Sequence, residues 1–283
     1  MVGSVLGGAG LALDVSNIVA QSPLSAQLLI DRIKTQFGSS WRTTPTDAFH
    51  AGVPETVVRG VSTTVMATFD VLKRSVAAGR NLIVSHEPTF YTGNDNVSDL
   101  TADAMYLRKL EFIKSNDLVV WRFHDNWHAR RPEPMTQALA QFLGWDKGVL
   151  PDDPTVFVIP PLSLAEAVNH IEQKLHVRSL RVIGARQTRI TRVGFLPGTP
   201  PSATSASKLL PKVDLIIAGE QREWEGVYYA YDVVSAGEPK AMITVGHAIS
   251  EDPGMKLCAD WLKTFISEVP VEWLPAGEPF TKI

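Results

Sequence analysis

The stretch LIVSHEP, residues 82–88, decides which fold this chain adopts. Its first four residues favour strands and are followed at once by a histidine, a glutamate and a proline, which predicts a short buried strand. Open α/β sheets carry their sites at the carboxyl ends of such strands, where His86 and Glu87 stand. Because neighbours in an extended strand point to opposite sides, either the chain turns here or the site holds more than one ion.

The residues before this strand complete a strand–helix–strand unit. Val57–Thr68 is rich in β-branched residues and predicts a strand, and Phe69–Ala78 predicts a helix that ends at Gly79. Such a unit favours a parallel pair with a right-handed crossover. Strands and helices alternate in the second half of the chain as well. The sequence therefore predicts an α/β fold of two similar lobes with mixed, largely parallel sheets.

The chain divides into three predicted segments. Residues 1–23 resemble the apolar core and cleavage region of an export signal, although the positively charged front part is missing. This pattern favours an exported or periplasmic protein, and a mobile arm on a cytoplasmic protein is the alternative. Two prolines and two aspartates at 150–154 mark a boundary. We therefore expect an N-terminal α/β lobe at 24–150 and a C-terminal α/β lobe at 151–283.

The composition limits the class of protein and the kind of site. Of the 283 residues, 45% are hydrophobic and 20% are charged, as in an ordinary globular protein. The net charge of −3 argues against nucleic acid as a partner, and no apolar run is long enough to span a membrane. The single cysteine, Cys258, excludes an intrachain disulfide and a cysteine-rich zinc site. A bound metal ion must therefore use His, Asp and Glu, and Cys258 is expected in the core.

Several predicted strands end in residues that commonly bind metal ions, and four of the seven histidines fall at these ends. Imidazole and carboxylate groups are the usual ligands of divalent Zn, Fe, Mn, Co and Ni. Pro253 is expected to open a helix, which would leave the last of these groups in the preceding loop. Solvated polar residues at strand ends are the alternative reading. The groups are His86 with Glu87, His124 with Asp125 and His128, Glu220 alone, and His247 with Glu251.

Two stretches in the second half resemble a known family. DLIIAGE at 214–220 and GHAISE at 246–251 match, in the same order, Asp-x-x-x-Thr-Gly-Glu and Gly-His-x-x-x-Glu of the Nif-three-like proteins. This dinuclear-metal α/β family is also catalogued as GTP cyclohydrolase type 2 homologues, and the resemblance extends from about Asp47 onward. The His and the final Glu are metal ligands in that family, which implies the same role for His247 and Glu251.

The first half departs from the family's pattern at two ligand positions. The family has His-His-Pro where this chain has His-Glu-Pro at 86–88, which implies His86 as a ligand and Glu87 in place of the second His. The family's remaining ligand is the Asp of a His-Thr-Asn-x-Asp stretch. The matching HDNWH at 124–128 puts His128 there, with Asp125 as the alternative if the loop takes another register. The implied set of two carboxylates and three imidazoles suits two neighbouring ions bridged by Glu251 and a water.

The resemblance also implies a function and a partner. It implies a metal site between the two lobes, two divalent ions per chain, and a homo-oligomer, typically a hexamer. If the protein is an enzyme, we expect a metal-dependent hydrolase acting on a small substrate, because two ions acidify a bound water and polarise the bond attacked. Nucleotide-like molecules are one candidate class of substrate. Glu220 is then the candidate general base, or the group that orients a ligand. The alternative is a non-enzymatic metal-binding or regulatory scaffold, which would use the same ligands.

Overall fold

The computed structural model describes residue 3 and residues 23–220 and 222–281. Within these residues the chain forms two mixed β-sheets with helices packed on them. The α/β fold with two mixed, largely parallel sheets is confirmed. The export-signal hypothesis for residues 1–23 concerns a segment that, apart from residues 3 and 23, lies outside the described residues.

The secondary structure alternates between strands and helices, as the sequence predicts. The strands are β1 (Phe49–Ala51), β2 (Val61–Thr64), β3 (Leu82–Ser85), β4 (Val119–Arg122), β5 (Val149–Leu150), β6 (Asp153–Ser163), β7 (Arg181–Ile183), β8 (Arg189–Leu196), β9 (Leu215–Ala218), β10 (Ala241–Thr244) and β11 (Val271–Trp273). The helices are α1 (Ala26–Phe37), α2 (Phe69–Ala77), α3 (Ala104–Ser115), α4 (Asp125–Ala129), α5 (Pro134–Leu143), α6 (Leu164–Leu175), α7 (Ala203–Leu209), α8 (Tyr228–Ser235) and α9 (His247–Leu262). A π-helical segment, Glu223–Val227, precedes α8.

The first sheet has the strand order β1-β4-β3-β2-β11, with β1 antiparallel and the others parallel. Helix α2 joins β2 to β3, so the predicted parallel strand–helix–strand unit is confirmed. The first strand of that unit is shorter than predicted, because Thr68 accepts a hydrogen bond from Val71 and caps α2. Ser85 lies beside Thr64 and Arg122 in the register, so β2, β3 and β4 end at one edge.

The second sheet has the order β5-β6-β8-β9-β10-β7. Its strands β8, β9 and β10 are parallel, and the outer strands pair antiparallel. Ala218 pairs with Thr244, so β9 and β10 end side by side. The residues that follow these two strands, Glu220 and His247, are thereby brought to the same edge of this sheet.

Helix α9 begins at His247, and the prediction that Pro253 would open it is wrong. A proline inside a helix removes one backbone hydrogen bond. Here that loss is outweighed by burial, because every residue from Ala248 to Met255 is buried. Gly246, with φ of 95°, supplies the turn that starts the helix directly after β10. His247 and Glu251 are therefore one turn apart on the same helical face.

The end of the chain returns to the first sheet. Helix α9 shares an apolar core with α1 and the first sheet, and β11 pairs in parallel with β2. Residues of the predicted C-terminal segment 151–283 thus pack on both sheets, and α9 ties them together. The boundary near residue 150 stays a prediction. Cys258 lies in this core with none of its surface exposed, as predicted.

A search for membrane-spanning helices was limited to the described part of the chain. No helix there combines the length and the apolar character that crossing a bilayer requires.

Gly254 in α9 provides a test of how α5 packs against α9. A Cβ at Gly254 would overlap the sulfur of Met135 in α5. In an exposed helix Gly→Ala stabilises by about 1 kcal/mol. Here we expect Gly254→Ala to lower the free energy of unfolding by about 1–3 kcal/mol, because the helices must move apart. Urea unfolding measures the change.

The control is Gly93→Ala, where an added methyl group meets no atom within 4 Å. We expect this variant to stay within about 0.5 kcal/mol of the wild type. A Gly254→Ala protein as stable as the control would contradict the close contact between α5 and α9.

Candidate metal centre

Ionisable side chains from the edges of both sheets meet at one point. Two of them directly follow β3. Two more lie in the turn into α4 and in α4 itself, and the last two lie within the first five residues of α9. The converging side chains are His86, Glu87, His124, His128, His247 and Glu251.

One group within this cluster consists of three imidazole rings. His86, His124 and His128 each offer a ring nitrogen, and these nitrogens lie within 4.8 Å of one another. The Nε2 atoms of His86 and His128 are 3.1 Å apart. The rings of His86 and His124 stack with their centroids 4.4 Å apart. Three imidazoles at this spacing form a metal-ligand arrangement that the protein builds from β3 and α4.

The second group contains the carboxylates. Glu251 Oε2 lies 3.0 Å from His247 Nε2 and 3.6 Å from His86 Nε2. Glu87 Oε1 lies 3.2 Å from His247 Nε2 and 3.6 Å from His124 Nε2. The two groups therefore overlap, since His86 contacts both His128 and Glu251.

The protonation of His86 and His128 follows from what their Nδ1 atoms face. His86 Nδ1 lies 3.0 Å from the carbonyl oxygen of Phe123, and His128 Nδ1 lies 2.8 Å from Glu133 Oε1. Both partners accept hydrogen bonds, so both Nδ1 atoms carry a proton. Burial opposes it, but Glu133, Glu251 and Glu87 raise the pKa of His128, so a proton on its Nε2 can be shared with the Nε2 lone pair of His86, and a metal ion would take the place of that proton. Two nitrogen ligands of a tetrahedral ion are about 3.3 Å apart, which fits this spacing.

The other two histidines are held in the same way. His124 Nδ1 lies 2.9 Å from Asp125 Oδ1, and His247 Nδ1 lies 2.7 Å from Glu220 Oε1. An oxygen acceptor at Nδ1 fixes the orientation of a ring and leaves Nε2 to bind a metal ion. Asp125 and Glu220 thus contact ligand-type residues from outside, while Nε2 of each histidine points into the cluster.

The charges in the cluster favour a cation at its centre. Burial alone would lower the pKa of His247, but hydrogen bonds to Glu251 and Glu87 outweigh it and raise the pKa to about 11. A proton on Nε2 of His247 thereby sits where a metal ion would neutralise the same carboxylates. Burial lowers the pKa of His86 well below its usual value, which keeps its Nε2 lone pair available.

A buried aspartate positions the turn that carries the imidazoles of α4. Asp47 accepts hydrogen bonds from the backbone N–H groups of His124, Asp125 and Asn126 at 2.7–2.9 Å. Its Oδ2 atom also accepts from the side chain of Asn126. These contacts cap a helix of only five residues, which could not hold its place through its own hydrogen bonds.

The structure brings together five of the residues predicted as ligands: His86, Glu87, His128, His247 and Glu251. It holds Asp125 against His124, and it places Glu220 against His247. His124 belongs to the strand-end groups of the sequence, but the ligand set implied by the family motif does not include it. In the structure its ring lies beside those of His86 and His128.

Comparison with known proteins identifies the family. The sequence model of Duf34/NIF3 (NGG1p interacting factor 3) matches residues 49–276. The chain belongs to the Duf34/NIF3 family. The resemblance predicted from the two motifs is confirmed, and family membership together with the His/Glu cluster fits a metal-binding protein.

Individual relatives of this Duf34/NIF3 chain are distant in sequence. The GTP cyclohydrolase 1 type 2 homolog of Clostridium perfringens is 25% identical over 196 residues, which cover 66% of this chain and 71% of that protein. SA1388 of Staphylococcus aureus has a TM-score of 0.71 at 18% identity and covers 93% of this chain and 100% of its own. Reduced HcgD from Methanocaldococcus jannaschii has a TM-score of 0.63 at 15% identity, with coverages of 87% and 96%. The solved structures share the fold.

A buried arginine compensates for the carboxylate that stands in the family's second His position. Arg122, which is 4% exposed, donates to Glu87 Oε2 at 3.2 Å and to Asp95 Oδ2 at 2.6 Å. It also donates to the carbonyl oxygen of His86 at 3.0 Å. Burial opposes ionisation of Glu87, but His247, His124 and Arg122 together lower its pKa. Because Arg122 engages Oε2, only Oε1 of Glu87 faces the cluster.

Removing the side chain of Arg122 is expected to destabilise the protein strongly, because it would break two buried ion pairs. Arg122→Met would leave Glu87 and Asp95 buried without their cation, and breaking a buried pair costs about 3–5 kcal/mol. We expect the free energy of unfolding to fall by that amount at neutral pH, measured by urea unfolding.

The matched control makes the same substitution at an exposed ion pair. Arg32 pairs with Glu268 at 2.6 Å, and both side chains are about one-third exposed. Arg32→Met is expected to cost at most about 1 kcal/mol. Equal losses in the two variants would show that Arg122 does not stabilise the cluster.

Proposed function

We propose that this protein binds two divalent metal ions at the His/Glu cluster and uses them to hydrolyse a small substrate. The observation that carries the proposal is shared by four histidines. Each has its Nδ1 atom within 3.0 Å of an oxygen acceptor, and each turns its Nε2 atom toward the same space. Such support of imidazole rings is typical of metal ligands and is not needed by histidines that merely pack.

Two overlapping ligand groups support two ions. The three imidazoles of His86, His124 and His128 would hold one ion, and His247 with the carboxylates of Glu87 and Glu251 would hold the other. Glu251 is the candidate bridge, because its Oε2 atom lies near both His247 and His86. Imidazole-rich sites suit Zn, Cu, Fe and Ni, whereas carboxylates favour harder ions such as Mn. The two positions therefore differ in the ions they prefer.

The chain's own residues supply the rest of the chemistry. Two neighbouring divalent ions would acidify a bound water and polarise the bond attacked. Glu220 orients His247, and its side chain is 44% exposed, so it also reaches solvent and can take up a proton. Arg122 holds Glu87 in place. We therefore assign Glu220 as a positioning residue for His247 and as the candidate general base.

The alternative function is a metal-binding scaffold without catalytic activity. It would use the same ligands but would need no room for a substrate. An open cavity of about 1170 Å³ lined by His247 and Glu220 favours the enzyme. The name of the Clostridium perfringens relative suggests a nucleotide as one substrate class to screen.

Assembly and partners stay predictions. A homohexamer is expected from the resemblance, and light scattering of the purified protein would measure the oligomer mass. Nucleic-acid binding remains disfavoured by the net charge of −3.

Metal analysis of matched histidine variants tests the proposed site. Protein purified without chelator should contain about two divalent ions per chain. His247→Gln should lose at least one of them, because it removes the imidazole that would bind the same ion as the carboxylates of Glu87 and Glu251. His170→Gln should keep both ions, since His170 lies in α6 with its Nε2 atom against the carbonyl oxygen of Leu143. Elemental analysis gives the count, and circular dichroism confirms that each variant is folded.

A folded wild-type protein that carries no ion and takes up none when Zn or Mn is added would overturn the proposal. Equal metal content in the His247 and His170 variants would place the ions elsewhere.

The support that Glu220 gives to His247 can be tested separately. Removing a partner of a ligand typically weakens metal affinity about 10–100-fold. We expect Glu220→Ala to show such a loss and Glu220→Gln, which keeps an acceptor for Nδ1, to recover part of it. Competition with a chelator of known affinity measures the change.

The control for this series is Glu238→Ala, because Glu238 is an exposed glutamate in the loop that follows α8. Its metal affinity should match the wild type. If Glu220→Ala also binds ions like the wild type, then Glu220 does not position His247.

A further inference from the structure

The open cavity beside the cluster has an unusual lining for a protein surface. It has a volume of about 1170 Å³, and Glu220 and His247 are among the residues that line it. Any molecule that occupies it therefore lies next to the proposed ions. The other walls come from the loop around Trp224, from Met66, and from residues 276–281 near the end of the chain.

Large aromatic side chains are left uncovered in this cavity. Trp224 is 79% exposed and Phe280 is 66% exposed, although both line the cavity wall. Aromatic rings of this size gain much from being covered, because each can remove 150–250 Å² of surface from water. The backbone beside Trp224 is kinked, because Glu225 departs from helical geometry (φ −110°, ψ −114°).

A cationic side chain lies close to the exposed tryptophan. The guanidinium of Arg222 is 5.9 Å from the centre of the Trp224 ring, and it pairs with Glu225 at 2.8 Å. Both partners of this pair are partly exposed, so the pair is worth little and exchanges readily for another anion. Arg181 also lines the cavity, where it pairs with the lining residue Glu223 at 3.1 Å. Guanidinium groups bind phosphate through paired hydrogen bonds, and Arg222 offers this beside an aromatic surface.

The negative charges in the lining are mostly engaged. Glu278 is held by Arg178, which approaches its Oε2 atom through both the backbone N–H and the guanidinium. Only 6% of the Glu278 side chain is exposed. Glu220 faces His247. With divalent ions at the cluster and Arg222 also in the lining, the cavity would attract an anion whose body is flat and apolar.

We propose that this cavity binds the substrate, and that the substrate is a small organic phosphate with a planar ring, such as an aryl phosphate or a nucleotide. The inference rests on the proposed function, because it places this molecule beside the ions. The ring packs against Trp224, and the phosphate is held between the ions and Arg222.

Binding measurements with three probes test the substrate class. Inorganic phosphate reports on the ions and Arg222 alone, 1-naphthyl phosphate adds a planar ring, and adenosine monophosphate adds a ring with a ribose. Metal-loaded protein is titrated by calorimetry with each probe. We expect 1-naphthyl phosphate to bind about tenfold more tightly than inorganic phosphate, because stacking on an aromatic side chain is worth that much. Comparison with adenosine monophosphate separates an aryl from a nucleotide preference.

Variants locate the ring. Trp224→Ala should abolish the tenfold advantage of 1-naphthyl phosphate and leave inorganic phosphate within about twofold of the wild type. Arg222→Met should weaken the binding of both probes. The control is Tyr231→Ala, because Tyr231 is an aromatic residue of α8 that is 54% exposed but does not line the cavity. This control should bind all probes like the wild type.

The outcomes separate this inference from the proposed function. If the protein holds its ions but binds 1-naphthyl phosphate no better than inorganic phosphate, the cavity inference is wrong and the metal site stands. The same holds if Trp224→Ala keeps the tenfold advantage. If no ions bind, the proposed function fails, and the titrations on that ion-free protein decide whether Trp224 still selects a ring.

Discussion

The convergence of four imidazole rings on one space is the constraint on which this structure depends. Each ring must be held in a fixed orientation from its outer side, and the protein does this with a different oxygen for each histidine. A backbone carbonyl holds His86, and carboxylates hold the other three. The supporting groups come from strand ends, a capped turn and a helix start. The strand ends, turns and helix starts at both sheet edges thus place each acceptor next to the Nδ1 atom of one ring.

Helix α9 connects this constraint to the rest of the fold. It begins immediately after a strand of the second sheet and packs against the first, so its opening turn lies where the two sheet edges meet. His247 and Glu251 then share one face of the helix, one turn apart. Burial along this segment keeps the helix continuous through Pro253. The approach of α5 at Gly254 requires a glycine, because a side chain there would strike Met135.

Local signals in the sequence predicted much of the fold. The apolar strand before His86 and the helix that ends before Gly79 appear where expected, because short-range geometry decides them. The start of α9 was missed because Pro253 is a strong local signal, whereas the burial that overrides it comes from distant residues. Arg122 reaches Glu87, 35 positions away, and Asp47 caps a helix 78 residues later. Such contacts carry no periodicity that a sequence could reveal.

Glu133 performs two tasks with one carboxylate. It accepts from the backbone N–H groups of Met135 and Thr136 at the start of α5, and it also holds His128 Nδ1. The same helix start contacts α9 through Met135. Aspartate would cap a helix as well but is one methylene shorter, so it would have to give up one task. Glu133 therefore links the orientation of His128 to the start of α5, which packs against α9, the helix that carries Glu251.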